Sequence, residues 1–203
     1  MKVRNIVFDL GNVLNICDLD FALKGLSAGS NASIEEVRAF LFDTDFVDRL
    51  DSGFISNEEF HTAVQSGLGW REDLEALRKL WEDMLSTDHE MVELMVRLKS
   101  EGYRIYVLSN INPIHLDLAN RSFDFLQHTD GAIYSCECGM IKPDESIFQH
   151  LLNTFGLNAA ETIFIDDRQV NVDAAGKLGI TSIVHRSYIE TREKLSEWIP
   201  TLR

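Results

Sequence analysis

Several polar residues stand at the ends of apolar runs, and their types could bind and transfer an anionic group. Asp9 closes VRNIVF, Ser109 and Asn110 end YRIYVLSN, Lys142 lies in GMIKPD, and Asp166 and Asp167 close TIFI. Carboxylates crowded into one crevice repel and would take up protons unless a cation sat among them. An all-oxygen set with room for water suits Mg²⁺, which is held by one or two carboxylates and leaves positions for phosphate oxygens. A hydroxyl, amide donors and a fixed ammonium are what an oxyanion needs. Each residue also has a plainer role. Asp9 could serve a turn, Ser109 likewise, and Asp166 or Asp167 could cap a helix, although a cap needs one acid and not two. Lys142 could be a surface charge, yet a cation is unfavourable at the start of a helix.

These residues meet only if the elements carrying them share one edge. The runs at 3–8, 103–109, 162–167 and 181–185, with a weaker one at 131–135, are rich in Ile, Val, Phe and Tyr. They are nearly continuous, as strands buried on both faces should be. Between them, Met91, Leu94, Met95 and Leu98 recur at helical spacing before Gly102, and Ile147, Phe148, Leu151, Leu152 and Phe155 do so before Gly156. A third helix is expected over 168–178. Strand and helix in alternation predict an α/β fold: a Rossmann-like parallel sheet with helices on both faces. In such a sheet the strand ends named above lie on one edge, where open α/β folds bind ligands.

Residues 15–88 break the alternation. Ser33 with Glu36 and Ser56 with Glu59 have capping-box spacing, and the segment reads as wholly helical. The expected organisation is a core of residues 1–14 and 89–203 with an inserted α-helical cap, 15–88, over the ligand-binding edge. Trp70 and Trp81 are expected to pack this cap.

With the motifs in this order, the chain resembles the haloacid dehalogenase superfamily of phosphatases over nearly its whole length. FDLGNVL looks like the first of four family motifs, VLSN the second, KPDESIF the third and FIDDRQVNVDAAGKLG the fourth. The insertion after the first motif resembles the small cap of the sugar-phosphatase-like branch, which includes the phosphatase domain of soluble epoxide hydrolase. The resemblance implies that Asp9 attacks phosphorus and forms an aspartyl-phosphate that water hydrolyses. It implies Mg²⁺ held by Asp9, the backbone carbonyl of Gly11 and Asp167, with Asp166 assisting. Ser109 and the Asn110 backbone would grip phosphoryl oxygens, Lys142 would neutralise charge, and Asn171 would hold a water or buttress Asp167. The implied substrate is a small phosphorylated metabolite, such as a hexose 1-phosphate.

The chain departs from the family at one point. Most such phosphatases read D-x-D-G, whereas positions 11 and 12 are Gly and Asn. Gly11 still offers its carbonyl, and Asn12 tolerates the positive φ of a tight turn. What is lost is the second aspartate, the family's general acid and base. Either the leaving group needs little protonation, or another group substitutes (Asp18, Asp20 and His115 are candidates), or the protein is a weakly active phosphate-binding pseudoenzyme. A 2-haloacid dehalogenase also lacks that aspartate but lacks the acidic pair at 166–167 as well. A receiver-type phospho-switch carries its acidic pair first and its acceptor later, the reverse of this order.

Composition sets outer bounds. The 203 residues are 45% hydrophobic, enough for a sizeable core. A formal charge of -14 opposes binding to nucleic acid or an anionic membrane. Cys17, Cys136 and Cys138 are expected to be reduced and structural, without zinc. No apolar run approaches the ~20 residues of a membrane span. The expectation is a cytoplasmic protein, a monomer or weak homodimer.

Overall fold

In the computed structural model, which describes residues 2–203, the first apolar run forms β1 (Asn5–Phe8) at the centre of a five-stranded sheet. The chain continues through β2 (Asn15–Cys17), α1 (Leu19–Gly29), α2 (Ile34–Phe42), α3 (Phe46–Asp51), α4 (Asn57–Leu68), α5 (Leu74–Asp83) and β3 (Leu85–Thr87). Alternation then resumes with α6 (His89–Ser100), β4 (Arg104–Ser109), α7 (Pro113–Ser122), β5 (Gly131–Tyr134) and the single turn α8 (Ser135–Cys138). It ends with α9 (Glu145–Phe155), β6 (Thr162–Asp166), α10 (Gln169–Lys177), β7 (Thr181–Val184) and α11 (Tyr188–Leu195).

The sheet order is β5-β4-β1-β6-β7, and every pairing is parallel. Side chains of β1 alternate between two layers. Ile6 and Phe8 join Met91, Leu94, Met95 and Leu98 of α6, whereas Val7 joins Ile147, Phe148 and Leu151 of α9. Both faces of the strand are dry, which is why its sequence is continuous rather than alternating.

Helices α1–α5 enclose a separate apolar cluster that includes Leu23, Leu26, Phe60, Leu77 and Trp81, and Ile114 of α7 reaches into it. Both capping boxes form. The Ser33 hydroxyl accepts from the Glu36 amide at 3.2 Å while the Ser33 amide donates to Glu36 at 2.8 Å. Ser56 and Glu59 do the same at 3.1 and 2.8 Å. The insertion is not wholly helical, however: β2 pairs antiparallel with β3, Asn15 opposite Thr87, where the chain leaves and re-enters the core. Three-residue strands are too short to display a period of two, so the sequence pattern could not reveal them.

A polar contact from α8 helps to fix the inserted helices against the core. The Ser135 hydroxyl donates to the carbonyl of Asp51, the last residue of α3, and accepts from the Ile111 amide at 2.8 Å. Just beyond, Gly53 has φ +72°, and a Cβ there would lie 2.3 Å from the Cys136 carbonyl oxygen. Only glycine meets both demands.

Candidate active site

The central position of β1 makes it the point where the winding of the sheet reverses, with β4 on one side and β6 on the other. Asp9 follows β1 directly, and its amide donates to the Ile165 carbonyl at 2.9 Å, extending the ladder by one bond. Ser109 and Asp166 terminate β4 and β6. Oxygens of Asp9, Asp166 and Asp167 all lie within 4.8 Å of one another.

Lys142, almost wholly buried, stands in this cluster. Its ammonium donates to Asp9 Oδ2 at 2.9 Å, Asp166 Oδ2 at 2.7 Å and the Leu108 carbonyl at 2.9 Å, so each N–H has an acceptor. Burial opposes the charge on Lys142, but Asp9 and Asp166 outweigh it and raise its pKa above the usual lysine value. For Asp9, burial is the larger influence and raises the carboxyl above the carboxylate range. Lys142 pulls it back, while Asp166 and Asp167 add to the rise. One ammonium among three acids leaves the cluster short of positive charge, and its donors are all hard oxygens. This set fits a divalent cation of the Mg²⁺ kind.

The two neighbouring acids have different surroundings. Asp166 is saturated: its Oδ1 accepts from the Arg168 amide at 2.9 Å and from Asn171 Nδ2 at 2.8 Å, and its Oδ2 holds Lys142. Asp167, half-buried, receives one side-chain bond, from Asn12 Nδ2 at 3.2 Å. Asn171 thus buttresses Asp166 and not Asp167 as expected, because the first turn of α10 folds back onto the strand end that precedes it.

Two amides play parts that the sequence did not reveal. Asn12 has the expected positive φ, 53°, and its side chain also bridges Asp167 and the Cys17 amide, which donates to Oδ1 at 3.1 Å. The Asn110 side chain brackets the peptide of Lys142, donating to its carbonyl at 2.9 Å and accepting from its amide at 2.8 Å. That side chain therefore positions Lys142, and Asn110 has its backbone left to offer a ligand. The Ser109 hydroxyl, buried beside it, makes one long contact, 3.4 Å to the Asn110 carbonyl. It is open to a better acceptor.

Gly11, Asn12, Ser109 and Asn110 border a chamber of about 280 Å³, with Phe42, Val47, Trp81 and Met84 of the inserted segment among its other lining residues. The substitutes expected for the missing acid at position 11 are engaged with other partners. Asp18 caps α1 through the Phe21 amide at 2.9 Å, and exposed Asp20 faces Arg38 at 3.6 Å. His115 lines the chamber, but Nε2 bonds the Trp81 carbonyl at 2.8 Å and Nδ1 bonds Asn112 Nδ2 at 3.1 Å. All three cysteines are free and half-buried. Among the described residues, no helix is long and apolar enough to cross a membrane.

Comparison with known proteins places this geometry in a context. The haloacid dehalogenase-like hydrolases match residues 3–179. A D-ribitol-5-phosphate phosphatase of Bacteroides thetaiotaomicron is 23% identical over 96% of this chain and 97% of its own length. A sesquiterpene phosphatase of Aspergillus oryzae is 27% identical over 87% of each chain. An enzyme of the same family from Bacteroides thetaiotaomicron, crystallised with magnesium and inorganic phosphate, superposes with a TM-score of 0.80. It is 25% identical, and the match covers 91% of this chain and 94% of that one.

Proposed function

Because the chain belongs to the haloacid dehalogenase-like hydrolase family, we propose that it is a Mg²⁺-dependent phosphatase acting on a small phosphorylated metabolite through Asp9. The observation that carries this reading is the cluster of Asp9, Asp166 and Asp167 around a buried Lys142. The acidic pair at the end of β6 separates it from a dehalogenase, whose attack on carbon requires no cation among carboxylates.

Asp9, the Gly11 carbonyl and Asp167 would hold Mg²⁺, since Asp166 already spends its oxygens on Lys142, Arg168 and Asn171. The ion supplies positive charge that keeps Asp9 ionised and offsets charge on the phosphoryl oxygens. Asp9 attacks phosphorus, the alcohol departs, and water then releases phosphate from the Asp9 acyl phosphate. Lys142 neutralises charge on Asp9 and the transferring group from a position fixed by Asp166 and Asn110. The Ser109 hydroxyl and the Asn110 backbone bond the phosphoryl oxygens. Most of the rate enhancement comes from this positioning and charge complementarity.

A chamber of about 280 Å³ suits a small molecule rather than a phosphoprotein. The polar side chains in its lining, Asn12, Asn15 and Asn112, are compatible with a sugar 1-phosphate. Phe42, Val47, Trp81 and Met84 favour a second reading, in which the leaving group carries an apolar portion. A screen of hexose 1-phosphates, polyol phosphates and prenyl phosphates with and without Mg²⁺ separates the two. Mg²⁺-dependent release of phosphate, abolished by EDTA and by Asp9→Asn, is the expected result. Release that persists in EDTA contradicts the proposal.

A further inference from the structure

Gly11 has no side chain to protonate a leaving group, so the chamber must hold that function elsewhere or lack it. Three titratable side chains line the chamber: Cys17, Asp51 and His115. Burial pushes the Cys17 thiol up to about 11, which leaves it a neutral and poor acid. Burial pushes His115 down to about 4, and both its ring nitrogens are already bonded. Asp51 is different. Among the described residues its carboxylate has one hydrogen-bond partner, Asn112 Nδ2, at 3.4 Å.

We propose that Asp51, from the inserted helices, is the acid–base catalyst of this enzyme and takes the place of the missing acid at position 11. The assignment rests on the phosphatase reading above. Its geometric basis is the loop after β4. Ser109 and Asn110 lie at one end of that loop, and Asn112, which reaches the Asp51 carboxylate at 3.4 Å, caps α7 at the other. Asn112 is itself fixed, since its Oδ1 accepts from the His115 amide at 3.0 Å and its Nδ2 donates to His115 Nδ1. The backbone of Asp51 is tied to the core by Ser135, and Gly53 packs against Cys136 two residues on. A flexible lid would not keep a carboxyl on the chamber wall; these ties hold Asp51 there.

The surroundings suit proton exchange near neutrality. Burial raises Asp51 to about 7, the Asn112 hydrogen bond lowers it, Asp48 of its own helix raises it, and Arg168 ahead of α10 lowers it. The other titratable groups nearby are neutral: His115 of α7, Cys17 of β2, and Cys136 of α8, whose thiol burial pushes up to about 12. A donor with a pKa near the working pH is the most effective acid–base catalyst.

The steps balance. As the Asp9–phosphorus bond forms and the bond from phosphorus to the ester oxygen breaks, the Asp51 carboxyl gives its proton to that oxygen. The products are the alcohol, the Asp9 acyl phosphate and the Asp51 carboxylate. Water then attacks phosphorus while Asp51 takes one of its protons. This releases hydrogen phosphate, restores the Asp9 carboxylate and leaves Asp51 protonated for the next cycle.

The test compares Asp51→Asn with the unmodified protein in Mg²⁺, on p-nitrophenyl phosphate and on a simple alkyl phosphate. It uses kcat/KM, which reports phosphoryl transfer to Asp9. Nitrophenolate departs without a proton, so its kcat/KM should stay within a few-fold, and that retained rate shows the variant is folded. The alkyl ester should lose roughly 10²–10⁴-fold. The variant should also accumulate phosphorylated Asp9 with nitrophenyl phosphate, because the base for water is gone. Equal losses on both esters, or no loss on the alkyl ester, overturn the assignment. The unmodified enzyme gives an independent reading: alkyl-ester kcat/KM should fall above about pH 7 more steeply than nitrophenyl kcat/KM. Parallel profiles count against Asp51. If the unmodified protein turns over neither ester, the phosphatase reading fails and this assignment with it; turnover of both with a uniform loss in the variant removes only Asp51.

Discussion

Lys142 shows how far a single residue can be read before its partners are known. A cation just ahead of a helix is electrostatically misplaced, which adds to the motif's hint of a function. Its partners, Asp9 and Asp166, lie on strands distant in sequence, so the buried ion pairs emerge only from the fold. Removing one partner of such a pair costs about 3–5 kcal/mol. Lys142→Met should therefore lose about that much stability in denaturant titrations run in EDTA, and Mg²⁺ should restore part of it. The positive φ of Asn12 was legible from residue type, whereas its bond to Asp167 was not, because a short amide side chain carries no mark of a partner 155 residues away. Asn12→Gly keeps the turn and deletes that bond. The variant should melt near the unmodified protein but need roughly 10–100-fold more Mg²⁺ for half-maximal activity, as loss of a group orienting a metal ligand does.

At the scale of elements, periodicity was informative wherever an element buries a regular face. The five strands of the sheet, helices α6, α9 and α10, and both capping boxes follow from apolar spacing and cap residues. Elements that bury little or are very short left no such trace. These include β2 and β3, and α11, of which Thr191 and Leu195 are the buried residues. The junction between inserted helices and core was equally hidden, since part of it is Gly53 meeting Cys136. Gly53→Ala combines a left-handed φ with an overpacked contact, and should cost about 1–3 kcal/mol. Denaturant titration measures that loss. Because Asp51 lies two residues away, the same variant should lose more kcat/KM on an alkyl phosphate than on p-nitrophenyl phosphate.

Across the whole molecule, the chamber could not be read from sequence because its walls come from both the sheet edge and the inserted helices. Two of its lining residues that share Asn112 as a partner, Asp51 and His115, should oppose one another in the pH dependence of folding. Asp51 has its folded pKa raised to about 7 and so contributes stability at low pH that is lost as pH rises through 7. His115, lowered to about 4, contributes stability present above 6.5 that is lost as pH falls toward 4. Acidification from pH 7.5 to 5 should therefore destabilise Asp51→Asn more than the unmodified protein, and His115→Gln less, each by on the order of 2 kcal/mol. Chemical denaturation at the two pH values reads both differences. The formal charge of -14 adds a field that would repel a phosphorylated substrate, which Lys142 and a bound cation would offset locally.

The central claim is that Asp9 carries the phosphoryl group with a divalent cation beside it. Its most direct test is acid quenching during turnover, followed by mass spectrometry of the peptide that contains Asp9. The account predicts a phosphoryl group on Asp9 when Mg²⁺ is present and none in EDTA. Phosphate release at an undiminished rate with Asp9 never modified, or in the absence of any divalent cation, would contradict it.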